Sequence, residues 1–213
     1  MFTTIIRSKS NGVQRLFATL LTLFMLLPTS IALAADHHHP AQQLVEGAVN
    51  TVMADLQKHQ GKIASNPEVL DETLSKNIIP HLDFTTMTRL SVGKSWRKAT
   101  PEQQTSLVNE FTDFLLNTYR SALSEYGGES VVFKPFKKPK REGRAVVAST
   151  FKFGSAEVPV NYKLHDRNGP WQVYDIIVSD LSLVIQYKST FGSEIDRNGI
   201  EGLIKLLRDK NNI

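Results

Sequence analysis

Apolar residues between positions 41 and 126 repeat at a helical period. Between residues 41 and 59 they recur three or four positions apart, which predicts an amphipathic helix. Asn66, which precedes a proline, is typical of a helix start, and Asp83 is a candidate cap for a short third helix. Thr100 and Gln103 form a capping-box pattern in front of a fourth helix.

From residue 130 onward the apolar positions alternate with polar ones, which is the period of a strand. This alternation predicts strands at residues 130–134, 144–153, 156–164 and 171–178. The last strand is apolar on both faces, so we expect it to be central in the sheet and covered on both sides. A helical period returns from Leu181, with a break expected at Gly199. The order predicts an α+β fold, a curved antiparallel sheet packed against helices that can enclose an apolar pocket.

The first 34 residues have the composition of a secretory signal peptide. They contain three basic and no acidic residues, an uncharged apolar run at residues 16–27, and a small-x-small pattern that ends at Ala34. A membrane anchor is the alternative, but the run has 12 residues, whereas a span needs about 20. We therefore expect cleavage after Ala34 and a single domain at residues 35–213.

Removal of the leader changes the charge of the protein. The chain has 25 basic and 21 acidic residues, and the leader holds three of the basic ones, so 22 basic residues remain against 21 acidic. A net charge of +1 gives no global electrostatic support for nucleic-acid binding. Cysteine is absent, which excludes disulfides and thiol chemistry, so the exported domain must be stabilised by its core.

No common catalytic motif is present in the sequence. Asp175 lies among apolar residues in the last predicted strand, where it could serve as a buried general base with a raised pKa. The alternative is an aspartate that pairs with a nearby Arg or Lys, or that lies on an exposed face of the strand. His59, His81 and His165 are far apart in sequence and are interpreted as surface or capping residues.

Two charged segments have both a structural and a functional interpretation. A basic cluster between two predicted strands is either a solvated turn or a patch for an acidic partner protein or anionic headgroups. Its members are Lys134, Lys137, Lys138, Lys140, Arg141 and Arg144. The run His37-His38-His39 is either a polar leader or, after cleavage, a Cu(II) or Ni(II) site built from the free amine and a third-position histidine. No metal or cofactor is expected in the folded domain.

An ordered set of short segments resembles one family, the MlaC-type periplasmic phospholipid-binding proteins, also called toluene-tolerance proteins. The segments are Pro80-His81-Leu82-Asp83-Phe84, Gly93-Lys94-Ser95-Trp96, Thr100-Pro101-Glu102-Gln103, Trp171-Gln172-Val173-Tyr174-Asp175-Ile176, Leu181-Ser182-Leu183-Val184 and Gly199-Ile200-Glu201-Gly202-Leu203. The resemblance covers nearly the whole chain after the leader. Asp180 departs from it, because a glycine is expected before the Leu-Ser pair.

The resemblance implies an NTF2-like fold and a carrier that performs no covalent chemistry. Such a carrier shuttles glycerophospholipids through the periplasm between an outer-membrane lipoprotein–porin complex and an inner-membrane ABC transporter with a lipid-binding ring. It thereby maintains outer-membrane lipid asymmetry, and its pocket takes the acyl tails and leaves the headgroup in water.

The candidates for the pocket wall are aromatic and branched residues, which are also suited to ordinary core. They are Tyr119, Val147, Phe151, Val160, Tyr162, Tyr174, Ile176 and Val178. Two other functions stay open, a small NTF2-like enzyme with Asp175 as its base and an adaptor that binds membrane proteins but no lipid.

Overall fold

The computed structural model describes residues 39–59, 66–124, 128–167 and 169–212. The helices are α1 (Pro40–Lys58), α2 (Pro67–Asn77), α3 (Phe84–Val92), α4 (Pro101–Ser124) and α5 (Leu183–Asn211). The strands are β1 (Ser130–Phe133), β2 (Arg144–Phe153), β3 (Ala156–His165), β4 (Gln172–Val178) and β5 (Leu181–Ser182). The predicted signal peptide and its cleavage site lie outside the described residues, as do His37 and His38 of the predicted copper site.

The starts of three helices test the capping predictions. Thr100 and Gln103 exchange the two expected bonds: the Thr100 amide donates to Gln103 Oε1 at 3.0 Å, and the Gln103 amide donates to Thr100 Oγ1 at 3.2 Å. Asp83 Oδ1 accepts from the Thr86 amide at 2.8 Å and caps α3. Asn66 occupies the cap position of α2, but its side chain makes no capping hydrogen bond. The caps predicted at Asp83 and Thr100 are therefore confirmed. Asn66 lies at the predicted cap position but does not form the capping hydrogen bond.

Helix α5 consists of two helical segments joined at Gly199. This glycine has a φ of 73° and a ψ of −177°, which are not helical values. A positive φ of this size is accessible to glycine at little steric cost. The predicted break at Gly199 is thus confirmed.

The five strands form one antiparallel sheet in the order β1-β2-β3-β4-β5, so each strand pairs with its neighbours in the chain. Tyr162 lies opposite Val147 on one side and Ile176 on the other. Residues directly opposite each other share a face of a sheet. We call this the inner face, because Val147 and Tyr162 pack with residues of α1 on that side.

The position of β4 corrects the expectation of a central strand. It lies fourth in the order, and its outer neighbour β5 has only two residues. A bulge opposite Lys163 and Leu164 shifts its register, and helices α3 and α5 pack against it. Asp83, just before α3, also donates its amide to the Val173 carbonyl at 2.8 Å. Cover by helices, rather than a central place, explains why β4 is apolar on both faces.

In the part of the chain that the structure describes, the buried apolar residues form three clusters that follow the layers of the fold. One lies between α1 and the inner face of the sheet and includes Ala41, Val45 and Leu164. A second joins α3, α4 and α5 around residues such as Phe111 and Phe191. A third joins α1 and α2. Among the described residues no helix combines the length and the apolar character needed to cross a bilayer.

Candidate functional site

The inner face of the sheet holds six of the predicted wall residues. The strand registers and the packing place them on one continuous surface: Val147, Phe151, Val160, Tyr162, Ile176 and Val178. Val158 and Phe133 belong to the same face and extend it toward β1. The alternation of β3 already indicated Val158, whereas the four-residue β1 is too short to fix a face from sequence.

Burial divides this inner face into two parts. Val147, Val160 and Tyr162 are buried and pack with α1, so they form ordinary core at this end. We call the other part the open half, which consists of the partly buried Phe151, Val158 and Ile176 and the exposed Val178. The open half, which adds Val158 to three of the predicted wall residues, is the part of the inner face that a ligand could reach without displacing α1.

The buried Tyr162 is held in its neutral form. Burial raises the pKa of its hydroxyl to about 12, although a hydrogen bond with Ser149 opposes the shift. Ser149 also donates its hydroxyl to the Val160 carbonyl at 3.3 Å. The polar atoms at the centre of the inner face are thus paired and uncharged at neutral pH.

Tyr119 lies apart from the sheet residues, on α4. Its side chain is about one-third exposed and contacts Tyr187 of α5, where burial and this tyrosine neighbour raise the pKa of the Tyr187 hydroxyl. Tyr187 packs edge-on against Phe111 and Phe114. Sequence reasoning missed Tyr187, since only the pairing of α4 with α5 brings the two tyrosines together.

Tyr174 corrects another expectation, because it lies on the outer face of the sheet. The bulge in β4 sets it between Val173 and Asp175 without a partner on β3. There the Arg144 guanidinium lies over the Tyr174 ring, 4.8 Å from its centroid. The Tyr174 ring also stacks against the His165 ring. Tyr174 is therefore not brought together with the other predicted wall residues.

The edge of the sheet next to the open half carries exposed apolar side chains. Leu181 lies opposite Val178 in the β4–β5 pair and is 68% exposed, and Ile185 in the first turn of α5 is 65% exposed. We call Val178, Leu181 and Ile185 the edge patch. Neighbouring exposed apolar residues such as Val178 and Leu181 mark a binding or docking surface more often than isolated residues do.

The Asp175 carboxylate interacts with three neighbouring groups. Its carboxylate lies 2.9 Å from Ser182 Oγ and 3.1 Å from Lys163 Nζ, and it accepts from the Val184 amide at 3.3 Å. It is buried on the outer face, where it faces the start of α5. The pairing with a lysine was one of the predicted alternatives. As a carboxylate already occupied by three donors, it is poorly placed to abstract a proton from a substrate.

His165 is buried rather than at the surface, which corrects the interpretation made from the sequence. Its Nε2 lies 2.9 Å from Asp83 Oδ2. Burial alone would raise the pKa of the Asp83 carboxyl, but hydrogen bonds from Thr86 and the nearby His165 hold that pKa below its ordinary value. His59 does act as a cap, with Nδ1 2.9 Å from the Asp55 carbonyl at the end of α1.

A second concave site lies on the outer face of the sheet. It is a groove of about 640 Å³ between the β1–β2 connection and strands β2, β3 and β4. We call it the basic groove, after its lining residues: Lys134, Pro135, Lys137, Lys138, Pro139, Lys140, Arg141, Arg144, Ala145, Val146, Ala148, Asn161, Lys163 and Tyr174. The predicted basic cluster is therefore part of a groove, rather than of a simple turn.

The described residues contain no group of three or more acidic, histidine or cysteine side chains that could hold a metal ion. His39, the last residue of the predicted histidine run, has a structural role. Its Nδ1 accepts from the Ala41 amide at 3.2 Å, and its ring stacks on Phe136 and contacts Trp171 edge-on.

Comparison with known proteins gives relatives over most of the chain. This chain is 27% identical to the toluene tolerance protein ttg2D of Pseudomonas putida over 188 aligned residues. The alignment covers 88% of this chain and 84% of the relative. The chain is 19% identical to the intermembrane phospholipid transport system binding protein MlaC of Haemophilus influenzae, over 86% of each chain.

A solved structure also matches this fold. It is a phospholipid-binding protein from Ralstonia solanacearum in complex with a phospholipid, with a TM-score of 0.75 and 31% identity over 82% of this chain and 98% of that one. The α+β, NTF2-like fold class is thereby confirmed. The family described as MlaC protein matches residues 46–209. The chain belongs to the MlaC protein family.

Proposed function

We propose that this protein is a periplasmic phospholipid carrier. It moves glycerophospholipids between an outer-membrane lipoprotein–porin complex and the lipid-binding ring of an inner-membrane ABC transporter, and so maintains outer-membrane lipid asymmetry. The observation that carries the proposal is the likeness to the Ralstonia protein, whose solved structure contains a phospholipid and is matched over 98% of its length.

The energetics of lipid transfer explain why a carrier needs an apolar surface of this kind. Two acyl tails contain about 30 methylene groups, so their exposure to water costs roughly 24 kcal/mol. A carrier needs a dry surface whose apolarity approaches that of the membrane, and charges on it would oppose binding. The open half of the inner face supplies apolar side chains on neighbouring strands and has no charged member.

We place the tails against the open half and the edge patch. Phe151, Val158 and Ile176 provide partly buried apolar surface, and Leu181 and Ile185 continue it to solvent at the edge of the sheet. The buried Val147, Val160 and Tyr162 support this surface from the packed side. Tyr119 with Tyr187 is our candidate for the helical side of the pocket.

The same proposal includes export and the absence of catalysis. Residues 1–34 act as a cleaved signal peptide, and residues 35–213 form the phospholipid-binding domain. The enzyme alternative is not favoured, because Asp175 lies on the outer face and its carboxylate is engaged by Ser182, Lys163 and Val184. A base for chemistry in an inner apolar cavity would have to face that cavity.

Native mass spectrometry and lipid extraction of the gently purified protein test the proposal. We expect diacyl phospholipid in near-stoichiometric amount with little headgroup selectivity. We also expect Ile176→Glu to lose most of it, since a carboxylate against acyl tails costs several kcal/mol. Val132→Glu is the matched control, because Val132 lies on the outer face of β1 and is half exposed.

Three results would contradict the carrier function or its site. A wild-type protein without lipid would contradict the carrier, and turnover of a small carbonyl compound by an empty protein would favour the enzyme. Equal lipid content in Ile176→Glu and Val132→Glu, with both folded by circular dichroism, would remove the open half as the site. If Ile176→Glu unfolds, Val178→Glu at the more exposed end of the same face takes its place.

A further inference from the structure

The basic groove concentrates charge that the rest of the protein lacks. Among the residues that the structure describes, seven lysine and arginine residues line it, and no aspartate or glutamate does. The chain after the predicted leader has a net charge of only +1, with 22 basic against 21 acidic residues. The remainder of that chain is therefore net acidic. The groove thus creates a local positive potential on a protein whose surface is not basic as a whole.

The charges that line the groove are almost all unneutralised. Among the described residues, Lys163 is the groove cation that forms an ion pair, with Asp175 at 3.1 Å. Glu142 and Asp166 lie near the end of the connection but are not part of the lining. Unpaired cations on a concave surface attract an anionic ligand more strongly than the same charges on a convex one.

The floor of the groove is apolar, which restricts the ligand further. Val146 is 50% exposed there, beside Ala148 and the ring of Tyr174, on which Arg144 is stacked. A stack of this kind holds the guanidinium in place over the ring. Asn161 adds amide groups that can bond to a backbone.

The spread of the cations argues against a single phosphate or headgroup. They extend along the β1–β2 connection from Lys134 to Arg141 and across to Lys163 on β3. Pro135 and Pro139 restrict the backbone of that connection, so the cations are presented along a stiffened segment. A row of charges over an apolar floor fits an extended chain with acidic and apolar side chains.

We propose that the basic groove binds an extended acidic segment of a partner protein. A membrane surface is the less suitable occupant, because a flat bilayer reaches the rim lysines but not the apolar floor. The site goes beyond the carrier function, since it lies on the opposite face of the sheet from the open half. A partner docked in it would leave the inner face free to load or release lipid.

The test measures binding of short poly-L-glutamate to the purified protein by isothermal titration calorimetry at low salt. The reversal variant carries Lys137→Glu, Lys138→Glu, Lys140→Glu and Arg141→Glu. Its matched control carries four reversals on exposed residues elsewhere, Lys94→Glu, Lys98→Glu, Arg197→Glu and Lys210→Glu. We expect the reversal variant to lose affinity for poly-L-glutamate by about tenfold or more, and the control variant to lose clearly less.

A third variant separates the groove from its charges. Ala148→Trp fills the floor and changes no charge, so we expect it to weaken poly-L-glutamate binding several-fold; if it fails to fold, Val146→Trp replaces it. Equal losses in the reversal variant and its control, or no loss on filling the floor, would overturn the proposal. So would tighter binding to phosphatidylglycerol vesicles than to poly-L-glutamate, because the occupant would then be a membrane.

Lipid content, measured by native mass spectrometry on the same samples, keeps the two proposals apart. We expect the reversal and floor variants to retain phospholipid while they lose the acidic ligand. Loss of lipid in the folded reversal variant would overturn the independence of the two faces. A wild-type protein that binds poly-L-glutamate but carries no lipid would overturn the carrier function alone.

Discussion

At the scale of single residues, Asp83 links a helix to the sheet. It caps α3 through the Thr86 amide, and its other oxygen accepts from the Thr86 hydroxyl at 2.6 Å and contacts His165 of β3 at 2.9 Å. Both oxygens are thus bonded in a buried place. The sequence predicted the cap, because capping is decided within four residues, but it could not predict a histidine 82 residues away.

Replacement of Asp83 by Asn tests this link. The lowered pKa means that the carboxylate contributes stability above the ordinary value of 3.8, and that this contribution is lost as the pH falls through the folded pKa. We expect Asp83→Asn to lose about 2 kcal/mol of the free energy of unfolding at neutral pH. The difference from wild type should shrink as the pH falls below 3.8. Urea denaturation at neutral and at acidic pH measures it.

Asp71→Asn is the control for this comparison, since the Asp71–Arg120 pair is far more exposed to solvent than Asp83. We expect that change to cost less than about 1 kcal/mol. A difference between Asp83→Asn and wild type that grows on acidification would contradict the assigned direction of the pKa shift.

At the scale of elements, local signals were predicted well and long-range ones were not. The capping box at Thr100 and the break at Gly199 depend on nearby residues, and both are confirmed. The place of β4 was wrong, because it depends on which helices cover the strand and on a bulge that no spacing reveals. The same bulge moves Tyr174 to the outer face, away from the wall where alternation placed it.

The turn between β4 and β5 shows why a glycine is expected at the position of Asp180. Ser179 and Asp180 have φ values of 47° and 67°, in the left-handed region that favours glycine. We expect Asp180→Gly to raise the free energy of unfolding by about 0.5 kcal/mol, because the relief of strain exceeds the added freedom of the unfolded chain. Urea denaturation monitored by circular dichroism measures the change.

The same substitution at Asp196 should have the opposite sign. Asp196 is exposed within a helical part of α5, where a glycine costs several tenths of a kcal/mol. A destabilised Asp180→Gly protein would show that Asp180 has a favourable contact that outweighs its backbone conformation.

At the scale of the whole molecule, the fold class and family could be predicted from the sequence, but the extent of the binding surface could not. Alternation identified the inner-face residues of β2 and β3. It could not show that Val147 is packed under α1 while Val178 is exposed, because that division depends on where α1 crosses the sheet. Core and lipid pocket have the same composition, so only position separates them.

Bound lipid should stabilise the whole protein if the carrier proposal holds. A ligand at 100 times its dissociation constant adds about 2.7 kcal/mol, which corresponds to a rise in Tm of about 5–10 °C for a domain of this size. We therefore expect delipidated protein to unfold at a lower temperature in differential scanning fluorimetry and to recover when phosphatidylglycerol is added back. An identical Tm before and after verified delipidation would contradict this.

The short edges of the sheet have a consequence for self-association. The edge strands β1 and β5 have four and two residues. A long unpaired edge is a template for strands of other copies, and short edge strands are one way in which natural sheets avoid that pairing. The exposed apolar side chains of Leu181 and Ile185 favour self-association of the protein. Because β5 ends after two residues, such contacts have little backbone to extend them into a shared sheet, which favours reversible clusters over fibres.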